Sequence, residues 1–319
     1  MDTIRALVFV FFFAASVSGS LVYNFYEASC PAAELIVRNT VTSTSFQDPS
    51  IPAKLLRLLF HDCFVEGCDA SVMLEGNNTE QSDPANRSVG GFSVIESAKR
   101  VLEVYCPGTV SCADIIALAA RDAVEIVGGP MIPIPTGRRD GMVSLASNVR
   151  SNIVDTSFTM DDMINHFSTK GLSLVDLVIL SGGHTIGTAH CSSFRNRFKE
   201  ESNGKFSLID NNTLDSTYGD ELMRKCSSVA NPSVTVNNDP QTSMLFDNQY
   251  YKNLLSNKGL FQSDSVLIND DRTSKLVGDL ANDQDLFFQN WAQSFLKLTN
   301  VGVKTGDEGE VRVSCATSN

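Results

Sequence analysis

The sequence predicts an all-α fold, on three observations. Apolar residues recur mostly at helical spacing. Prolines, glycines and short polar residues stand where helices begin and stop. Strand signals are few and short, as at Glu310 to Val313. Pro31, after Cys30, opens a helix over Ala32 to Val41. Pro52 occupies a first-turn position before Ala53-Lys54-Leu55-Leu56-Arg57-Leu58-Leu59-Phe60-His61, where its missing N–H costs nothing. Ser93 to Tyr105 is amphipathic and stops at Pro107-Gly108. Ser111 to Val127 is alanine-rich and ends at Gly128-Gly129-Pro130. Thr159 to Lys170 ends at Gly171. Ser173-Leu174-Val175-Asp176 reads as a capping box with Asp in place of Glu, opening a short helix to Ser181. Asp247 to Asn257 and Asp283 to Asn300 complete the set. There is no internal repeat and no low-complexity linker.

The 319 residues suit one large domain or two fused halves sharing a core. Acidic residues outnumber basic ones, 37 to 25, for a formal charge of −12. That balance argues against nucleic acid or an anionic membrane as partner and suits cation binding. Arg5, the apolar run Ala6 to Ala15 and the small residues Ser16, Ser18, Gly19 and Ser20 read as a secretory signal peptide over 1–20. A membrane anchor would need about 20 apolar residues. Eight cysteines without a Cys-x-x-Cys fit four disulfides in an oxidising compartment, with ~105 pairings open to spacing alone. A zinc site on His61, Cys63 and Cys68 is the rival, disfavoured because thiolates there would oxidise.

Four segments carry chemistry. Arg57 and His61, four apart, share one face of an otherwise apolar helix. Such a helix is buried, so something anionic or strongly polar should face the guanidinium. Arg57 bridging a structural carboxylate beside a core histidine is one reading. The other is peroxide chemistry, with the imidazole moving a proton between oxygens and the cation stabilising the departing one. Asp62-Cys63-Phe64-Val65-Glu66-Gly67-Cys68-Asp69-Ala70-Ser71 is an oxygen-rich turn that suits Ca²⁺, or simply a polar loop. Ser181-Gly182-Gly183-His184-Thr185-Ile186-Gly187 combines paired glycines, which let a flat ligand approach, with a histidine able to ligate iron. Asp239-x-x-Thr242-x-x-Leu245-Phe246-Asp247 is a second hard-cation loop. Asp264, placed after the next helix, would hold a histidine's second nitrogen.

In this order the segments resemble the secretory plant peroxidases, the class III haem peroxidases, over essentially the whole mature length. The matching stretches are Leu55 to Leu74, Ser111 to Val124, Gly137 to Asp140, Ser181 to Cys191, Phe246 to Asp264 and Thr305 to Cys315. The resemblance implies a two-part fold with one haem b between a distal half, about 21–145, and a proximal half, about 146–300. A C-terminal segment would return to the distal half through Cys315. It implies that His61 is the distal acid/base, Arg57 the transition-state cation, Phe60 a pocket wall and Asn86 the residue that orients His61. His184 would ligate the iron and Asp264 hold His184. Two Ca²⁺ ions are implied. The first falls on Asp62, Val65, Gly67, Asp69 and Ser71, with Glu80 through water; the second falls on Thr185, Asp239, Thr242, Leu245 and Asp247. The implied disulfides are Cys30–Cys106, Cys63–Cys68, Cys112–Cys315 and Cys191–Cys226, and Asp114 with Arg138 matches a buried ion pair. His166, His190 and Trp291 gain no catalytic role.

The implied activity is that of a donor:hydrogen-peroxide oxidoreductase. Peroxide yields a ferryl haem with a porphyrin radical, and two small donors, phenols foremost, each return one electron. A catalytically weak wall-binding protein on the same fold is the alternative. Two departures stand out. Ile153-Val154 replaces the family's usual Leu-Pro at the haem edge, so Val154 takes the substrate position without proline's fixed φ. Asn238 replaces an apolar residue before Asp239. A monomer exported to the apoplast or cell wall is expected, since the chain stops four residues after Cys315 without a vacuolar-type extension. Asn77 and Asn211 head glycosylation sequons; Asn86 heads a third that the pocket should protect.

Overall fold

In the computed structural model, residues 20–202, 206–210, 212–226 and 233–319 are described. Of the signal peptide expected over 1–20, residues 1–19 lie outside the described residues, as does Asn211 of the second sequon. The helices are α1 (Ala33–Gln47), α2 (Ile51–Val65), α3 (Phe92–Tyr105), α4 (Cys112–Ile126), α5 (Met160–Thr169), α6 (Leu174–Ser181), α7 (Ser216–Lys225), α8 (Gln249–Leu255), α9 (Gln262–Asn269), α10 (Ser274–Asn282) and α11 (Gln284–Leu298). Two antiparallel pairs of short strands accompany them. One joins β1 (Thr188–His190) to β4 (Thr235–Asn237), the other β2 (Phe198–Glu200) to β3 (Phe206–Leu208).

The caps explain where several helices begin. Ser111 accepts from the Asp114 amide. Thr159 with Asp162, and Ser173 with Asp176, form complete capping boxes. Asp283 accepts from the Leu286 amide, so it caps α11 and does not belong to it. Pro52 sits one residue inside the α2 start, where no intrahelical N–H is needed either. The first helix runs on to Gln47, past the expected Val41. The helix expected from Asp247 begins instead at Gln249, because the Asp247 carboxylate accepts from the Gln249 amide and faces Thr185 and Thr242. The strand expected at Glu310 to Val313 is one bridge, Asp140 to Glu310. Its ladder ends because the Arg312 amide turns to the Asp140 side chain, 2.9 Å away.

Helix α4 is the distal core. Every residue from Cys112 to Val124 is buried, against α1, α2 and α3. Its buried charges are paired, as burial demands. Asp114 takes Arg138 at 2.8 Å and the Tyr26 hydroxyl at 2.7 Å. In the proximal part, α11 packs on α6, and Asp176 receives Ser294 and Lys297, each at 2.8 Å. Phe246, Phe287, Trp291 and Phe295 join one continuous core with the distal helices. A smaller cluster around Phe194, Tyr218, Leu222 and Phe261 lies under β1 and β4.

All eight cysteines are bonded, as Cys30–Cys106, Cys63–Cys68, Cys112–Cys315 and Cys191–Cys226. The third, with the bridge from Arg139 to Lys304 and the one from Asp140 to Glu310, fastens the C-terminal segment onto the distal helices.

Candidate active site and the family of the chain

On α2, Leu58 and Leu59 point into the core. Ala53, Leu56, Arg57 and Phe60 are less covered. These four are spaced i, i+3, i+4 and i+7, so they form one stripe. A largely apolar stripe that retains access, on a helix otherwise packed away, marks the wall of a recess. Arg57 sits there, open to solvent yet deep enough that the surrounding protein pushes its pKa down. Its bonds go to uncharged groups: the Ser88 carbonyl and hydroxyl at 3.1 and 3.0 Å, the Ala85 carbonyl at 3.4 Å, and His61. No carboxylate among the described residues pairs with it, which speaks against the structural ion pair.

His61 is buried and held at both nitrogens. Arg57 Nε donates to its Nε2 at 3.1 Å, and its Nδ1 meets Asn86 Oδ1 at 2.6 Å. Asn86 cannot turn its amide around, because its Nδ2 donates to the Glu80 carbonyl at 2.9 Å. The imidazole proton therefore sits on Nδ1, and Nε2 carries the lone pair that accepts from Arg57. Burial, followed by the Arg57 charge, lowers the His61 pKa to about 3, while the Asn86 bond works the other way. His61 is thus a neutral base at ordinary pH. The Phe60 ring stands edge-on to it, 5.6 Å between centroids.

Facing this stripe is the 3₁₀ turn Gly182–Thr185 that carries His184. Added β-carbons at Gly183 and Gly187 would meet Leu56 at 3.3 Å and Ala53 at 2.9 Å, so α2 and this turn close one side of the same recess. Gly182 is glycine for a different reason: a β-carbon there would meet the Tyr251 hydroxyl at 2.5 Å and Phe287 at 2.8 Å. Its freedom serves internal packing, not ligand approach. His184 Nδ1 lies 2.8 Å from Asp264 Oδ1, and 40% of its side chain is exposed. Its Nε2 is thereby left as a donor atom for a metal, with a carboxylate behind the ring.

Asp264 follows α8, as expected, and is the third residue of a further helix, α9, that the sequence reading did not include. Its carboxylate also accepts from the Tyr250 hydroxyl at 2.9 Å and the Phe261 amide at 2.8 Å. The sequence gives no signal for Tyr250, which stands 14 residues from its partner.

Two oxygen-rich loops flank the recess. In the first, Asp62 Oδ1, Ser71 Oγ and both Glu80 carboxylate oxygens are buried without hydrogen-bond partners. Burial, then the charge of Asp69, raises the Asp62 pKa well above the usual carboxylate range. Glu80 is pushed up to about 8, burial again leading. Unpaired buried anions of this kind call for a cation. Lys304 reaches one Asp69 oxygen only. Among the described residues no three His, Cys, Asp or Glu side chains form a metal-holding group by themselves, so the Ser71 hydroxyl and the carbonyls of Val65 and Gly67 would have to contribute. Gly67, at φ +102°, lies so close to Gly302 that a β-carbon would sit 2.3 Å from its carbonyl.

In the second loop, Thr242 Oγ1 stands 2.7 Å from Asp239 and 3.2 Å from Asp247, and Thr185 Oγ1 stands 3.0 Å from Asp247 and 3.5 Å from the Leu245 carbonyl. This convergence of hard oxygens fits Ca²⁺. Next to it, Asn238 donates to the Ile186 carbonyl at 3.1 Å, and its Oδ1 is buried without a partner. Val154 is half-buried against the main core beside buried Ile153. His166 contacts the Phe158 ring, and Trp291 packs inside the aromatic cluster.

The family model for peroxidases matches residues 37–283, which include both histidines and both loops. The chain belongs to the peroxidase family. Peroxidase 18 of Arabidopsis thaliana is 61% identical over 317 residues, covering 99% of this chain and 96% of that protein. Peroxidase 46 of the same plant is 60% identical over 302 residues, covering 95% and 92%. Peroxidase 66 is 44% identical over 319 residues, covering 97% of each. The chain is a plant peroxidase enzyme of helix-rich fold, and the resemblance read from its motifs is correct at the level of family and reaction.

Proposed function

We propose that this peroxidase binds one haem b between the α2 stripe and the turn carrying His184, reduces hydrogen peroxide there, and oxidises small phenolic donors by single electrons. One observation supports the reading: of two imidazoles, His61 presents an unprotonated Nε2 to the Arg57 cation with its Nδ1 on an amide, and His184 has its Nδ1 on a carboxylate, which leaves its Nε2 for a metal.

His184 would hold the iron, with Asp264 fixing its tautomer and raising its basicity. Haem, when bound, supplies the redox centre that takes two electrons' worth of oxidation from peroxide. The protein's part is proton movement and charge. His61 Nε2 removes a proton from one peroxide oxygen and delivers it to the other, which leaves as water. Asn86 keeps the ring turned for both transfers. Arg57 stabilises charge on the departing oxygen. The edge near Val154 receives the donors. The two loops would hold Ca²⁺ and brace α2 and the His184 turn. No helix among the described residues is long and apolar enough to cross a membrane. We take the chain as a signal peptide followed by one two-part domain, exported as a monomer and glycosylated at exposed Asn77; Asn86 is buried and bonded at both ends of its amide.

Oxidatively folded protein loaded with haem should show a Soret band and turn over guaiacol with peroxide. Absence of the band after reconstitution ends the haem assignment; a band without turnover favours a wall-binding role.

A further inference from the structure

Arg197 is a buried guanidinium, 6% exposed, at the end of the 3₁₀ segment Cys191–Arg197. Its bonds go to uncharged oxygens. Nη1 donates to the Phe261 carbonyl at 2.7 Å and to Ser265 Oγ at 2.8 Å, and Nη2 donates to the Thr213 carbonyl at 2.8 Å. A buried cation held by neutral acceptors is costly, and its retention calls for a reason.

The acceptors supply one. Phe261 is the N-cap of α9, and its carbonyl also receives the Asp264 and Ser265 amides at 3.2 Å each. Its own amide donates to Asp264 Oδ2, and its ring stands 5.2 Å from that of His184. Arg197 therefore grips the residue from which Asp264 is aimed. Ser265 extends the grip, passing its hydroxyl to the Thr213 carbonyl at 3.1 Å. Burial lowers the Arg197 pKa, and the Asp264 charge is the largest influence raising it again, which places the two groups in electrostatic reach.

We infer that Arg197 is a positioning residue for the iron ligand: it clamps the start of α9 so that Asp264 stays on His184 Nδ1. The inference rests on the haem assignment above. Loosening the clamp lengthens the Asp264–His184 hydrogen bond, makes the imidazole less anionic, and leaves the iron easier to reduce.

The test uses haem-loaded wild type, R197Q, R197K and D264N. It reads the iron–histidine stretch of the ferrous protein by resonance Raman and the ferric/ferrous midpoint potential by redox titration. R197Q should lower the stretching frequency and move the midpoint positive, in the direction of D264N but less far. R197K, which keeps the charge and loses the fork, should fall between wild type and R197Q. S265A, which removes one acceptor and leaves the arginine in place, should shift both readouts slightly in the same direction and serves if R197Q fails to fold. Values for R197Q or S265A indistinguishable from wild type, beside a clear D264N shift, overturn the clamp alone. So does a negative midpoint shift, the sign expected from loss of positive charge without loss of position. A wild type that takes up no haem overturns the haem assignment and this inference together.

Discussion

The two sides of the recess use the same side chain for opposite ends. On the α2 side, His61 gives its Nδ1 proton to a neutral amide, and a cation sits on its other nitrogen. On the facing side, His184 gives its Nδ1 proton to a carboxylate. An amide partner beside a positive charge keeps an imidazole neutral, with an unprotonated nitrogen that can accept a proton and gives it up again easily. A carboxylate partner makes the imidazole electron-rich, suited to an oxidised metal. The partner of the remote nitrogen, more than the histidine, decides between base and ligand.

Four experiments probe this division. The largest effect should come from H61L. Removing the base should slow reaction with peroxide by about 10²–10⁴-fold, as general acid–base catalysis typically contributes, while haem is retained because His184 is untouched. Stopped-flow rates at the wild-type level would erase the base assignment.

R57L should slow the same step by about 10²–10³-fold, the usual loss for one preorganised charge donor. It should also move the acid limb of the rate profile. The His61 pKa lies at about 3, depressed first by burial and then by Arg57. The wild-type rate should therefore persist on acidification and fall only as pH approaches that value. Without Arg57 the limb should shift to higher pH; in N86V, which loses a bond that favours the proton, it should shift lower. Stability follows the same sign: the unfolded chain takes up this proton near pH 6.5 and the folded one near 3, so the fold loses stability as pH falls through that window. A limb that stays put in both variants would separate His61 from the observed titration.

D264N should spare the peroxide step more than either distal change and act on the iron, raising its potential. An unchanged potential would mean that the carboxylate does not set the ligand's character.

The smallest effect should follow calcium removal. On the proposed assignment of Ca²⁺ to the two loops, each site would add about 2.7 kcal/mol to the folded state at a hundredfold excess over Kd. Chelation should lower the thermal midpoint and partly reduce turnover. Equal melting curves after verified removal would leave the unpaired oxygens of Asp62, Ser71 and Glu80 without an explanation.

What could be read beforehand follows the range of each interaction. Arg57 and His61 are four residues apart, so helix geometry alone joins them. The Ser111, Thr159 and Ser173 caps are equally local. Asn86 is 25 residues from His61, and Asp264 is 80 from His184; chain closure over such distances leaves no periodic trace, so family resemblance alone placed Asn86 and named His184 as the histidine for Asp264. Tyr250 and Arg197 escaped even that, because each acts through another residue. The three-residue strands carry too little alternation to declare themselves, and the expected one at Glu310 shrank to a bridge because a side chain captured the next amide. Helix α9 gives no such notice, because the capping at Phe261 uses backbone and carboxylate, without the Ser or Thr that usually announces a start.

The C-terminal strap has a consequence in time. Lys304 reaches Asp69 across 235 residues, Gly302 fills against Gly67, and Arg312 donates to the carbonyls of Ala70 and Gly141. At ~5–20 residues per second, a ribosome makes Asp69 roughly 10–50 s before Lys304. Throughout that interval the acidic turn is without its last wall, so the nascent chain must carry an unfinished anionic pocket until its C-terminal segment is made.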